Sequence, residues 1–120
     1  MLPEEYRGFI HDLTGATGQN KVTWTRGSSP DIFIAEPTNT KFRVLIDTYY
    51  SEIAQATASC INLTIFEKPS GKLLDEIVIC DKDAQPEDYT LLKELYTAAR
   101  KQFADKGINT VLTEISASLK

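Results

Sequence analysis

Few residues in this chain are equipped for chemistry, and their spacing decides how they are read. There is one histidine, His11, and there are two cysteines, Cys60 and Cys80. A zinc cage of several imidazoles is therefore excluded, and a cysteine-rich cage has too few thiolates. A Cys–His nucleophile pair needs an exposed thiol of lowered pKa. Both cysteines instead sit inside apolar runs of strand character, where a free Cys behaves as a small buried hydrophobe. They are expected to be reduced and slow to react, and His11 to be a solvated or capping side chain.

The acidic stretch Asp75, Glu76, Asp81, Asp83, Glu87 and Asp88 invites a divalent cation. A calcium loop begun at Asp81 fails, because Pro86 falls where glycine is needed and Leu92 where a bidentate Glu belongs. Carboxylates facing a helix N-terminus explain these residues without a metal. Gly15-Ala16-Thr17-Gly18 follows a helix and precedes a strand, the reverse of a phosphate-binding loop, and is read as a chain reversal. No Gly-x-x-x-x-Gly-Lys-Ser/Thr motif is present. Asn62-Leu63-Thr64 matches a glycosylation sequon, which has meaning only in a secreted chain. No cofactor, metal or catalytic constellation is expected.

The formal net charge of -4 and pI near 5.0 argue against nucleic-acid binding, which wants a basic face. No apolar run approaches the ~20 residues of a spanning helix, and the acidic start Met-Leu-Pro-Glu-Glu-Tyr does not read as a signal peptide. A cytoplasmic protein without membrane contact is the expectation.

The elements that must position these residues are legible from periodicity. Pro3, Glu4 and Glu5 open a helix whose apolar stripe is Tyr6, Phe9, Ile10 and Leu13. From Val22 the period becomes two. Val22, Trp24 and Arg26 start one strand, Asp31 to Ala35 form a second, and Phe42, Val44 and Ile46 mark a third. Ile61, Leu63 and Ile65 share one face of a fourth strand, with Asn62 and Thr64 on the other. A turn at Pro69-Ser70-Gly71 leads to the fifth, Leu73 to Cys80, whose Ile77-Val78-Ile79 run suggests cover on both faces. Residues 49–59 are read as a long hairpin, although Ile53, Ala54, Ala56 and Ala58 also permit a short helix. Tyr89, Leu92, Leu95, Tyr96, Ala99 and Phe103 then fall at helical spacing after Pro86. Ile108, Val111, Leu112, Ile115 and Leu119 do so again after a break at Gly107.

The fold class is α+β: one domain over 1–120, with a single antiparallel five-stranded sheet, an N-terminal helix and two C-terminal helices packed on it. The early Trp strand and Asp88-Tyr89-x-x-Leu92-x-x-Leu95-Tyr96-x-x-Ala99-Arg100 resemble a group of small, uncharacterised bacterial proteins over roughly Val22 to Leu119. That resemblance implies the fold and no activity. The element order is also similar to small acidic chaperones of bacterial secretion effectors. This would imply a dimer, built by a helix between strands three and four at about Tyr50 to Ala58.

If the helices cover one sheet face, Trp24, Phe33, Tyr49, Tyr50 and Phe66 are too many large rings for a fully solvated second face. They form the expected interaction surface for a protein partner or a second copy. The leading functional reading is a non-catalytic interaction or regulatory module such as an adaptor, inhibitor or immunity-like protein. The alternative is a small-ligand binder with Tyr89, Tyr96 or Trp24 at the mouth of a pocket between sheet and helices.

Overall fold

The computed structural model describes the backbone of residues 2–53, 56–83 and 85–120, and their side chains except those of 51–53, 56, 107, 108 and 110. The chain runs α1 (Glu4–Gly18), β1 (Trp24–Arg26), β2 (Ile32–Ala35), β3 (Phe42–Ile53), β4 (Ala56–Glu67), β5 (Leu73–Cys80) and α2 (Pro86–Ser118). The five strands form one antiparallel meander in the order β1-β2-β3-β4-β5. The α+β class and the five-stranded sheet are as the sequence predicts.

The C-terminal count is corrected: a single helix spans Pro86–Ser118 where two were expected. A glycine costs a helix interior only about 1 kcal/mol, and the 33-residue helix carries that cost at Gly107 without ending. Pro86 does occupy the first turn, with Glu87 and Asp88 beside it. Helix α1 likewise runs on through Gly15 to Gly18 rather than ending at the first glycine. The chain reverses after it at Asn20, which takes a left-handed φ of 58°.

The β3–β4 ladder continues from Phe42↔Glu67 to Ile53↔Ala56. The hairpin reading of 49–59 therefore holds, with residues 54 and 55 outside those described. No helix lies between strands three and four among the described residues, which departs from the chaperone pattern. The cover expected on both faces of Ile77-Val78-Ile79 is absent, because β5 is an edge strand: Ile79 is buried while Val78 is exposed.

Strand alternation and register divide the sheet into two unlike faces. Phe33, Ala35, Val44, Ile46, Ile61, Leu63 and Ile79 point one way and join Ile10, Leu13, Leu92, Leu95, Tyr96 and Ala99 in one core. Both helices thus lie on the same side. Two polar devices fix them there. Asp88 is buried in the first turn of α2, accepts the Leu2 N–H at 3.0 Å and pairs with Arg7 of α1 at 2.9 Å. At the other end, Gln102 Oε1 accepts the Trp24 N–H at 2.8 Å while its Nε2 donates to the carbonyls of Val22 (2.7 Å) and Thr17 (3.2 Å). Thr17 Oγ1 in turn accepts the Trp24 indole N–H at 2.9 Å.

The free, inert thiols expected at Cys60 and Cys80 are corrected: the two residues form a disulfide. Asp81 N–H donates to the Ser59 carbonyl, so 59 and 81 make a hydrogen-bonded pair and the adjoining Cys60↔Cys80 is a non-hydrogen-bonded one. Side chains approach most closely at such pairs, and the two Cα atoms are 4.0 Å apart. The bond closes a loop between positions 20 apart, for which chain entropy gives about 3 kcal/mol. Reduction should lower the denaturant midpoint accordingly. Coincident unfolding curves with and without reductant would show that the bond is not formed.

Candidate interaction surface

The five ring residues expected on one surface are not brought together. Trp24 and Phe33 lie in the core beneath the helices, 2% and 1% exposed, and are unavailable to a partner. Tyr50 is 79% exposed but, by alternation, belongs to the helix-side face, on the part of the hairpin that outruns the helices. Tyr49 and Phe66 do lie on the face away from the helices. One-residue register differences decide all of these placements, and a period-two pattern by itself does not say which face is covered.

What the structure places on that second face is Ile34, Leu45, Asp47, Tyr49, Asn62, Thr64, Phe66, Glu76 and Val78, together with the disulfide. Neither helix packs here. The face is apolar at its margins and polar in the middle, where Thr64 Oγ1 donates to Asn62 Oδ1 at 3.3 Å. Asp47 stands directly across from Asn62. One of its carboxylate oxygens is shut off from solvent and accepts no hydrogen bond. Burial, then the charges of Glu76 and Asp31, push its pKa above the ordinary 3.8. Nothing in the alternation Leu45-Asp47-Tyr49 flagged this residue beyond a single acid in an otherwise apolar row.

A carboxyl whose folded pKa is raised holds its proton in the native state after the unfolded chain has released it. Its contribution to stability is therefore complete below the unfolded pKa and is lost as pH rises from about 3.8 through the folded value. Wild-type protein should lose stability relative to Asp47→Asn across that window. Parallel pH profiles of the two midpoints would refute the assignment.

The remaining chemical candidates are consumed by structure. His11 is exposed on α1, 4.0 Å from Asp12. Asp81 accepts the Ser59 N–H and Asp83 the Cys80 N–H, while Asp75 accepts the Tyr6 hydroxyl. That bond, with some burial, pushes the Tyr6 pKa up to about 12. Asp75 also takes the Glu76 N–H at 2.8 Å. Since 60↔80 and 64↔76 are non-hydrogen-bonded pairs, the Cys80 and Glu76 N–H groups point off the open edge of β5. Asp83 and Asp75 therefore blunt an edge that would otherwise accept another strand. Among the described residues no three His, Cys, Asp or Glu side chains gather as a metal site.

The pocket-mouth residues of the ligand-binding alternative also turn inward. The Tyr96 hydroxyl donates to the Asp31 carbonyl at 3.2 Å, its pKa raised chiefly by burial, and the ring meets Phe33 edge-on at 5.6 Å. Tyr89 donates to Ser59 Oγ at 3.0 Å, and the Trp24 indole is held by Thr17. Gln102, which organises this region, was not foreseen. Its only sequence signal is a polar residue at a core position, three after Ala99 and one before Phe103.

No helix among the described residues is long and apolar enough to cross a membrane. Comparison with known proteins finds no matching family model, no matching curated protein and no matching solved structure, so the reading of this surface rests on its own geometry.

Proposed function

We propose that this chain is a non-catalytic protein-interaction domain, of the adaptor, inhibitor or immunity-like kind. The observation that carries the reading is the uncovered sheet face. With both helices on one side, Ile34, Leu45, Tyr49, Phe66 and Val78 remain on the other as apolar surface that a second protein can bury. Asp47 and Glu76 in its midst favour a partner that brings a cation to them. The polar tips of Trp24, Tyr89 and Tyr96 are spent inside the protein, which weighs against the ligand-pocket alternative.

The location is also a matter for proposal. Disulfides persist in oxidising compartments and are rare in reducing cytosol. The Cys60–Cys80 bond thus opposes the cytoplasmic placement suggested by composition. The experiment is quantitative capture from the native cell, comparing wild-type protein with a Leu45→Asp, Val78→Asp variant of unchanged circular dichroism. A partner held by the wild type and lost by the variant supports the reading, and identical retrieval by both would end it.

A further inference from the structure

Helix α2 is longer than the sheet it covers. Its 33 residues follow a bent axis about 50 Å long at 1.5 Å per residue, whereas five strands at about 4.8 Å spacing are roughly 20 Å wide. Phe103 still meets the sheet, its ring 5.7 Å from that of Phe33 and beneath the Arg26 guanidinium at 4.7 Å. Residues 104–118 continue past the β1 edge. The longest dimension is accordingly 57 Å, and the radius of gyration is 16.0 Å where about 14 Å is usual for this length.

This projecting half carries Val111, Leu112, Ile115 and Leu119, which are 48%, 53%, 52% and 80% exposed. At 100° per residue their mean direction is about 170° from that of Leu92, Leu95, Tyr96, Ala99, Gln102 and Phe103. The stripe does not extend the core face; it looks away from the domain. On the same outer side, nearer the helix start, lies a shallow groove floored by Thr90, Thr97 and Ala98 and flanked by Lys93, Glu94 and Lys101.

One side of α2 thus presents short side chains between the stems of Lys93, Glu94 and Lys101 in its first half, and large apolar ones in its second. Two such helices packed antiparallel about a two-fold axis near position 103 set each apolar end on the other's groove. Ile115 then falls opposite Thr90 of the second copy, Val111 beside Lys93 and Thr97, and Leu119 over Pro86. Near the axis Lys101 of each copy faces Asp105 of the other, on the same flank, which gives two opposite-charge pairs. Pairing of the tails alone would overlap over only about 12 Å and falls short of the roughly 1,200 Å² a stable pair buries, whereas the full helix length can reach it.

We propose that the outer side of α2 is a homodimer interface, with the apolar second half of each helix packed antiparallel on the Thr/Ala groove of the other. It rests on the reading of uncovered apolar surface as association surface, but uses a surface separate from the sheet face. Sedimentation equilibrium of the full chain at about 100 μM should give a dimer, and Ile115→Asp with Leu119→Asp a monomer of unchanged melting temperature extrapolated to dilute protein. A chain carrying both Thr90→Cys and Ile115→Cys should form a covalent dimer on mild oxidation. A monomeric wild type, a dimer indifferent to the two aspartates, or covalent dimers from Leu112→Cys alone but not from the double variant would overturn the proposal. A monomer that still holds a partner through Leu45 and Val78 would end the dimer and leave the sheet-face reading intact; a dimer whose captured proteins ignore those residues would do the reverse.

Discussion

Replacing Gln102 by Leu should cost this domain about 3–5 kcal/mol, although the substitution adds apolar surface to an apolar core. The side chain is buried and makes three hydrogen bonds, one accepted from the Trp24 N–H and two donated to the carbonyls of Thr17 and Val22. All three partners are backbone groups between the last turn of α1 and the start of β1. Leucine leaves the Trp24 N–H and the Val22 carbonyl without a substitute, while the Thr17 carbonyl keeps the Asn20 N–H at 3.1 Å, and a buried unsatisfied group costs about 1–3 kcal/mol. Set against the 5–15 kcal/mol that holds an ordinary domain, that is a large fraction of the total. Trp24, the only tryptophan and itself buried, reports the unfolding directly through its emission. A loss under 1 kcal/mol in a denaturant titration would mean that water reaches these groups and that the clasp is not sealed.

Leu92→Ala is expected to cost about 2–5 kcal/mol, through the transfer term for the lost methyl groups and the cavity they leave. Leu92 is fully buried and sits on the stripe that also carries Leu95, Tyr96 and Ala99. The upper half of that range is the expectation, because α2 is tied to α1 through Asp88–Arg7 at one end and to β1 through Gln102 at the other. The helix is thereby hindered from sinking into the vacated space. A loss below half a kilocalorie would show that α2 does not pack through this residue.

Much of the architecture was legible before any coordinates. The apolar spacing of Tyr89 through Phe103 named the helix that covers the sheet, and the alternation of Val44 with Ile46 and of Ile61 with Leu63 named the core face. The Pro69-Ser70-Gly71 turn is where the chain does reverse, with Gly71 at φ +74°. The apolar stripe from Ile108 to Leu119 was legible too. Gly107 reads as a break that gives it a helix of its own; because the helix runs on instead, the phase difference of nearly half a turn between the two stripes sends the second one outward.

The candidate surface was far less legible. Trp24 and Phe33 went to the core and Tyr50 to the hairpin's far end, while Asp47 reads only as a polar residue alternating with Val44 and Ile46, and Gln102 carries no signal of its role. The sequence by itself determined the local periods, the turns and the acid-rich helix start, because these depend on residues a few positions apart. Only the tertiary structure decided which face of the sheet the helices cover, that Cys60 meets Cys80, and what each buried polar group is bonded to. Those outcomes depend on strand register and helix docking between residues 20 to 86 positions apart, where a slip of one residue exchanges the buried face for the open one.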